Sequence, residues 1–528
     1  MYFATGKGNK GMGMELASQQ MVTGGWIMIL LYIATVLYFV VKGAGKTKDI
    51  KDYALGNILF SPAAVGLSLA ASITSAATFI INPGFVALYG FSGVISMAFA
   101  LPLAALLSLV FLTKGFRKHG KTTKALSMAE WMKTMYKSDG FGIFFGFLSL
   151  LLITFIVLIC VGLTKVLSST LNIPEFYTLL GVVIFIFGYM MFGGANSMVY
   201  TNTVQALLMV VVAVILLGSG YDHFRDGVHG FIDSLNAIDP KLTQTTNSDS
   251  FLFRDYFEII FTQFVVGIAI VCQPHILTKS LLLKRDEDVN RYLLVGCTAQ
   301  FLFFLVVIAG LYARLSFPNL TIGGEPMPMD NIVSSYVVSE FPVIIALIVV
   351  MGLISAGIST LESLIQALST SITNDILEPL AGSKLFQKEL FGLQPQLVWN
   401  RIIIVLIGII AIILSWDQIV NPKLSVGIFA QNGVYAYFSA AFTPILLGMF
   451  FKNVPKAAPI AASLTAVTVH FTMYYAMLPV PFTLANGENP GVAAAMAILA
   501  GVAVGFAIYR AKNGRLELRG DETQSNGG

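Results

Sequence analysis

Long apolar runs, separated by short polar connections, repeat along nearly the whole chain. A membrane-spanning helix needs about 20 mostly apolar residues, and by that measure about thirteen segments qualify. They lie near 24–42, 58–82, 92–113, 141–165, 176–193, 197–218, 253–277, 292–313, 333–374, 399–416, 425–451, 457–478 and 491–510. The segment 333–374 exceeds one span and is expected to begin with an amphipathic stretch outside the membrane. The pattern predicts an all-α polytopic membrane protein with the lipid bilayer as its solvent.

Charge in the connections predicts orientation. Lys42, Lys46, Lys48 and Lys51 follow the first span, and Lys114, Arg117, Lys118, Lys121 and Lys124 the third. Lys279, Lys284, Arg285 and Arg291 follow the seventh, Lys452 and Lys456 the eleventh, and Arg510, Lys512, Arg515 and Arg519 close the chain. The alternate loops are poor in Lys and Arg. Cationic loops stay in the cytoplasm, so the N-terminus is expected outside and the C-terminus inside, in agreement with an odd number of spans. Residues 219–251, with Asp222, Asp226, Asp233 and Asp239, then form an outside loop and 375–398 an inside loop. Residues 125–137 predict a short amphipathic helix on the cytoplasmic surface. The tail after residue 510 is polar and expected to be disordered.

Composition sharpens this picture. Of 528 residues, 56% are hydrophobic and 11% charged, against about 25% charged in soluble proteins. The formal net charge of +4 reflects loop asymmetry and points to no nucleic-acid partner. Cys160, Cys272 and Cys297 sit in apolar runs and read as small core residues. The five histidines show no metal-ligand spacing, and neither a P-loop nor a GxSxG elbow occurs, so ATP-driven pumping and hydrolase chemistry lack support. The first apolar run starts near Trp26 and is long enough to stay in the membrane rather than act as a cleaved signal. An enzyme is not expected.

The most informative stretch is 351–375, where an apolar run carries Ser355, Ser359, Thr360, Ser363, Ser369, Thr370, Ser371 and Glu362. Hydroxyls can bond back to their own helix cheaply. A carboxylate cannot hide that way, and one inside the membrane marks a functional site by default. Adjacent hydroxyls at Ser359 and Thr360 offer the hard oxygen ligands that alkali and alkaline-earth cations prefer. The second span also carries Ser68, Ser72, Thr74, Ser75 and Thr78, with Asn82-Pro83-Gly84 near its outer end. Small and β-branched residues around 70–75 let a helix unwind there. Unwound backbone in a membrane must line a cavity or bind something, and broken helices in transporters coordinate ions through freed carbonyls. Close helix packing by small residues is the alternative for this segment.

Several separate motifs now bear on one family. They are Asp52-Tyr53-Ala54-Leu55-Gly56, the stretch from Ala71 to Gly84, and Gly193-Gly194 followed by Tyr200-Thr201-Asn202-Thr203-Val204-Gln205. Gln273-Pro274-His275 and the helix from Ala356 to Asp375 complete the set. In this order and spacing, over about residues 24–510, the chain resembles the sodium:solute symporter family and, within it, the pantothenate- and proline-permease branch. The resemblance implies two inverted five-helix repeats of the leucine-transporter type, and sodium-coupled symport of a small organic solute into the cell by alternating access. It divides the chain into an extracellular segment 1–23, a first helix and cytoplasmic loop 24–57, and a first repeat 58–218. An extracellular loop 219–252, a second repeat 253–451, two C-terminal helices 452–510 and a cytoplasmic tail 511–528 follow. It further implies a plasma-membrane location and a Na+ site on the carbonyls of Ala71, Thr74 and Ala356 and the hydroxyls of Ser359 and Thr360.

The chain also departs from the family pattern. Asn202 stands where many members carry an aspartate, and Glu362 stands where those members carry a hydroxyl. The expectation is that Asn202 and Glu362 face each other and, with Ser363, complete a second cation site or carry a proton. The alternative for Glu362 is a protonated structural carboxyl. Val266 and Ile270 hold places that proline carriers give to aromatic residues, as in the pantothenate branch. This points to a carboxylate such as pantothenate or a monocarboxylate. Ser75, Thr78, Phe79, Gln273, Gln431, Asn432 and Tyr435 are the candidate pocket residues. His275, near Lys279, is expected to cap a cytoplasmic helix end. Proton-coupled or proline-like symport, and a non-transporting sensor, are the competing readings. The sequence assigns no oligomeric state.

Overall fold

The computed structural model describes residues 17–123, 125–322, 324–382, 394–421 and 425–519. Most of the segment 1–23, the middle of the loop 375–398 and the end of the tail lie outside the described residues. Among the described residues, nine helices are long and apolar enough to cross a membrane. Two further pairs, Pro62–Ile73 with Ala77–Tyr89 and Phe257–Ile270 with Pro274–Leu282, meet that condition only together and are bent by 60° and 58°.

One of the nine, Glu175–Phe224, runs for 50 residues, or about 75 Å at helical rise against a hydrocarbon core of about 30 Å. It turns at Gly194, where φ is 59° and ψ is −164°. A Cβ at that position would lie 2.7 Å from the Tyr53 ring, so both the backbone sign and the packing require glycine. The kink makes two spans of one helix, as the separate runs 176–193 and 197–218 predict. The helix Ala457–Tyr475 has 19 residues and is diluted by Thr465, Thr468, His470 and Thr472. With it, each of the thirteen apolar runs has its helix.

The first broken span is central. Its first half, Pro62–Ile73, starts at a Ser61 cap that accepts from Ala64 N, with proline in the first turn, a pairing that pre-sets a helix start. It stops at Thr74, whose backbone is extended at φ −88° and ψ 109°. The second half resumes through a π-turn at Ala77–Ile81 before Asn82–Tyr89. The second broken span stops at Ile270 and restarts at Pro274 behind an extended Gln273. Pro62–Ile73 packs on Val289–Leu305, on Glu175–Gly218 and on Val343–Ser371. Burial separates the roles of the spans. The most apolar window of Val343–Ala381 is 78% buried and that of Gln19–Ala44 only 17%. The first is therefore a core helix that can hold polar groups, and the second faces lipid.

Three expectations change. The helix predicted at 125–137 forms at Met128–Tyr136, but Trp131 is fully buried against Phe116, with ring centroids 5.6 Å apart. Its apolar face is covered by protein rather than lipid. The loop 219–251 contains a helix, Gly227–Ile238, whose Phe231 and Leu235 are buried. The tail is ordered through residue 519. Helix Pro490–Asn513 runs past 510, and Lys452 N donates to Glu517 O at 2.8 Å while Arg519 N donates to Phe450 O at 2.8 Å. Backbone pairing supplies what the polar side chains could not signal. At the other end of the bundle, Arg254 bridges buried Glu258 at 2.6 Å.

Candidate functional site

The last carbonyls of a helix have no partner within it. At the end of Pro62–Ile73 these carbonyls meet the hydroxyl pair on Val343–Ser371. Ser359 Oγ donates to Ala71 O at 2.8 Å and lies 3.2 Å from Ala356 O. Thr360 Oγ1 lies 2.9 Å from Thr74 O, 3.3 Å from Ala71 O and Ser72 O, and 3.4 Å from Ala356 O. The carbonyls of Ala71, Thr74 and Ala356 thus converge with the hydroxyls of Ser359 and Thr360, and all five residues are buried. Ser72 O joins them, an oxygen the sequence reading left out. The set is all oxygen, without nitrogen or sulfur, and sits at a negative helix end. That chemistry suits a small hard cation.

A second cluster lies beside it. Glu362 is fully buried. One of its oxygens accepts a short hydrogen bond from Tyr189, the other accepts from Thr201 Oγ1 at 2.8 Å. Asn202 satisfies all its neighbours when its NH2 faces Glu362 and its carbonyl faces Lys279, an orientation assigned from donor and acceptor matching. It then donates to Glu362 Oε2 at 2.9 Å and to Gln205 Oε1 at 3.0 Å. Its oxygen accepts from Lys279 Nζ at 3.1 Å, Ser72 Oγ at 3.2 Å and Ser68 Oγ at 3.3 Å. Ser363 Oγ is 2.8 Å from Ser72 Oγ and donates to Ser359 O at 2.9 Å, linking the two clusters. Asn202, Glu362 and Ser363 are therefore brought together. Tyr189, Thr201 and Lys279 were not foreseen. Lys279 ends an apolar run and reads as one more loop cation, yet it is 3% exposed inside the bundle. His275 is equally buried and lines a cavity instead of capping a surface end.

That cavity, of about 120 Å³, opens between the breaks of the two bent spans. Ser75, Thr78, Gln273, Gln431 and Tyr435 line it, together with Asn82, His275 and Gln300. Phe79 and Asn432 do not. Phe79 turns into the core against Phe303, ring centroids 5.7 Å apart, and the Asn432 oxygens are engaged by His470 at 2.9 and 3.0 Å. Gln300 is the residue missed here. Its Oε1 accepts from Thr74 Oγ1 at 3.0 Å, while its Nε2 has no partner among the described residues. Gln273 shows the converse, with Nε2 donating to Ile270 O at 3.0 Å and Oε1 without a partner among the described residues. A lone glutamine in an apolar run gives no signal by itself. Only the fold puts Gln300 one residue's width from the cation-type oxygens.

Two broken helices meeting near a buried oxygen cage and a central cavity define a membrane carrier of the inverted-repeat class. The sodium:solute symporter family profile matches residues 53–465, and the chain belongs to that family. It is 25% identical to the sodium/pantothenate symporter of Haemophilus influenzae over 66% of this chain and 71% of that one. To the Escherichia coli sodium/pantothenate symporter it is 24% identical, covering 78% of this chain and 82% of that one. To the high-affinity proline transporter PutP of Bacillus subtilis it is 23% identical, over 82% and 88%. Among solved structures, a Na+-coupled sialic acid symporter in its substrate-bound outward-open state superposes with TM-score 0.72 and 16% identity, over 94% of this chain and 99% of that one. The likeness carries the leucine-transporter-type fold.

Proposed function

We propose that the protein is a sodium-coupled symporter that carries a small organic carboxylate into the cell by alternating access across the plasma membrane, its C-terminus in the cytoplasm. The observation that carries this reading is the convergence of Ala71, Thr74, Ala356, Ser359 and Thr360. A Na+ ion among those oxygens would tie the first repeat to the second. Sodium is cargo here. Its descent through 100 mV supplies about 2.3 kcal/mol per charge.

Support for the solute class comes from the cavity wall. Gln300 offers a donor without a partner among the described residues, and the second half of the first broken span begins there with its positive end. Both favour a carboxylate. A cavity of about 120 Å³ compares with the about 150 Å³ that holds benzene, which favours a short monocarboxylate over pantothenate. Gln273 Oε1 supplies an acceptor for a hydroxyl on the same solute. Coupling follows from Thr74, whose carbonyl belongs to the cation cage and whose hydroxyl holds Gln300. The test is uptake of labelled short carboxylates into proteoliposomes, with and without an inward sodium gradient. Accumulation that needs sodium supports the reading. Uptake indifferent to sodium, or none for any carboxylate, contradicts it.

A further inference from the structure

Lys279 raises a question that the sodium cage does not answer. A buried ammonium is costly unless acceptors and an opposite charge compensate it. Its acceptors are Ser68 Oγ at 3.0 Å and the Asn202 carbonyl at 3.1 Å. The Asn202 NH2 reaches Glu362 Oε2 at 2.9 Å. One amide therefore joins the ammonium to the carboxylate, each charge facing the end of the amide dipole of opposite sign. The other partners of Glu362, Tyr189 and Thr201, are neutral.

The surroundings of Lys279 Nζ are those of an alkali ion. Ser68 and Asn202 converge on it as oxygens, with a carboxylate behind them. Both repeats contribute, since Ser68 and Asn202 lie in 58–218 while Lys279 and Glu362 lie in 253–451. We propose that the Lys279 ammonium is a resident cation, held by Ser68 and Asn202 where a second coupling ion would sit beside Glu362, so that the carrier binds one sodium per cycle. The proposal rests on the sodium-symport reading and adds the ion count to it.

Equilibrium binding of labelled Na+ to the purified full chain tests it, since sodium alone is the probe. The wild type binds one ion with a Hill coefficient of about 1. Lys279→Met removes the ammonium and leaves the Glu362 carboxylate uncompensated, so this variant binds two ions and the Hill coefficient rises above 1. The neutral double variant Lys279→Met/Glu362→Gln returns to one. Two ions in the wild type overturn the proposal, whether or not Lys279→Met folds. So does one ion in a folded, monodisperse Lys279→Met. No sodium binding in the wild type overturns the symport reading and this one with it, which separates the two failures.

Discussion

The Thr360 hydroxyl lies 2.9 Å from the Thr74 carbonyl, across 286 positions of chain. The contact joins the break of one helix to the middle of another, and the same Thr74 holds Gln300 through its hydroxyl at 3.0 Å. One threonine thus touches the cation cage with its backbone and the solute cavity with its side chain. The predictions below follow from that arrangement and from the Glu362 cluster.

Removing a cage hydroxyl should act on sodium before it acts on the fold. Thr360→Ala and Ser359→Ala each delete one oxygen while leaving the Ala71 and Thr74 carbonyls in place. Disturbing even the supporting partners of a metal site costs about 10–100-fold in affinity. Each variant should raise the sodium concentration for half-maximal thermal stabilisation at least tenfold, or abolish it. Unchanged sodium dependence in a folded variant would rule the cage out.

Gln300 should matter to the solute and to coupling together. Gln300→Ala leaves the Thr74 hydroxyl unpaired and removes the free amide donor. A buried hydrogen-bonding group left unpaired costs about 1–3 kcal/mol, which is roughly 5- to 150-fold in the solute concentration for half-maximal uptake. Gln300→Glu places a negative charge against a carboxylate and should be the more damaging of the two. Equal transport by Gln300→Glu and the wild type would remove the carboxylate assignment.

Glu362→Gln should leave one sodium coupled per solute, since this carboxylate compensates the Lys279 ammonium and holds no second sodium. It also strips the counter-charge from buried Lys279, and breaking such a pair costs about 3–5 kcal/mol. Its unfolding midpoint should fall well below that of the wild type. Adding Lys279→Met should restore much of the loss, since the pair then goes as a unit. Simple addition of the two single effects would show that Lys279 and Glu362 act independently.

The kink of the long helix rests on a backbone that only glycine adopts easily. Gly194→Ala meets a positive φ of 59° and a Tyr53 ring 2.7 Å from the new Cβ. Handedness and overpacking together cost about 2 kcal/mol or more. A lowered unfolding midpoint in detergent is expected, and a midpoint equal to wild type would show that the kink relaxes at no cost.

Much of this architecture is readable in the chain because membrane spans announce themselves by length and apolarity. The runs on either side of Gly194 were separable although the structure joins them in one helix, since the Gly193-Gly194 pair interrupts the pattern. The Ser359-Thr360 pair stood out because adjacent hydroxyls beside a carboxylate are rare in such a helix. Bringing Ala71 to Ser359 required the family resemblance, because carbonyls carry no sequence signal. Lys279 and Gln300 stayed hidden for a different reason. A cation at the end of an apolar run looks like a loop residue, and a single amide inside one looks like tolerated polarity. Phe79 and Asn432 illustrate the opposite error, since membership in a pocket-forming helix does not say which face a side chain takes.

The central claim is that a sodium ion is held by Ala71, Thr74, Ala356, Ser359 and Thr360. The most direct measurement is a high-resolution density map of the protein in sodium, compared with one in choline. The account predicts density among those five oxygens in sodium alone, with both hydroxyls turned toward it. A sodium-dependent peak elsewhere, with the Ser359 and Thr360 hydroxyls still bonded to the Ala71 and Thr74 carbonyls, would contradict it.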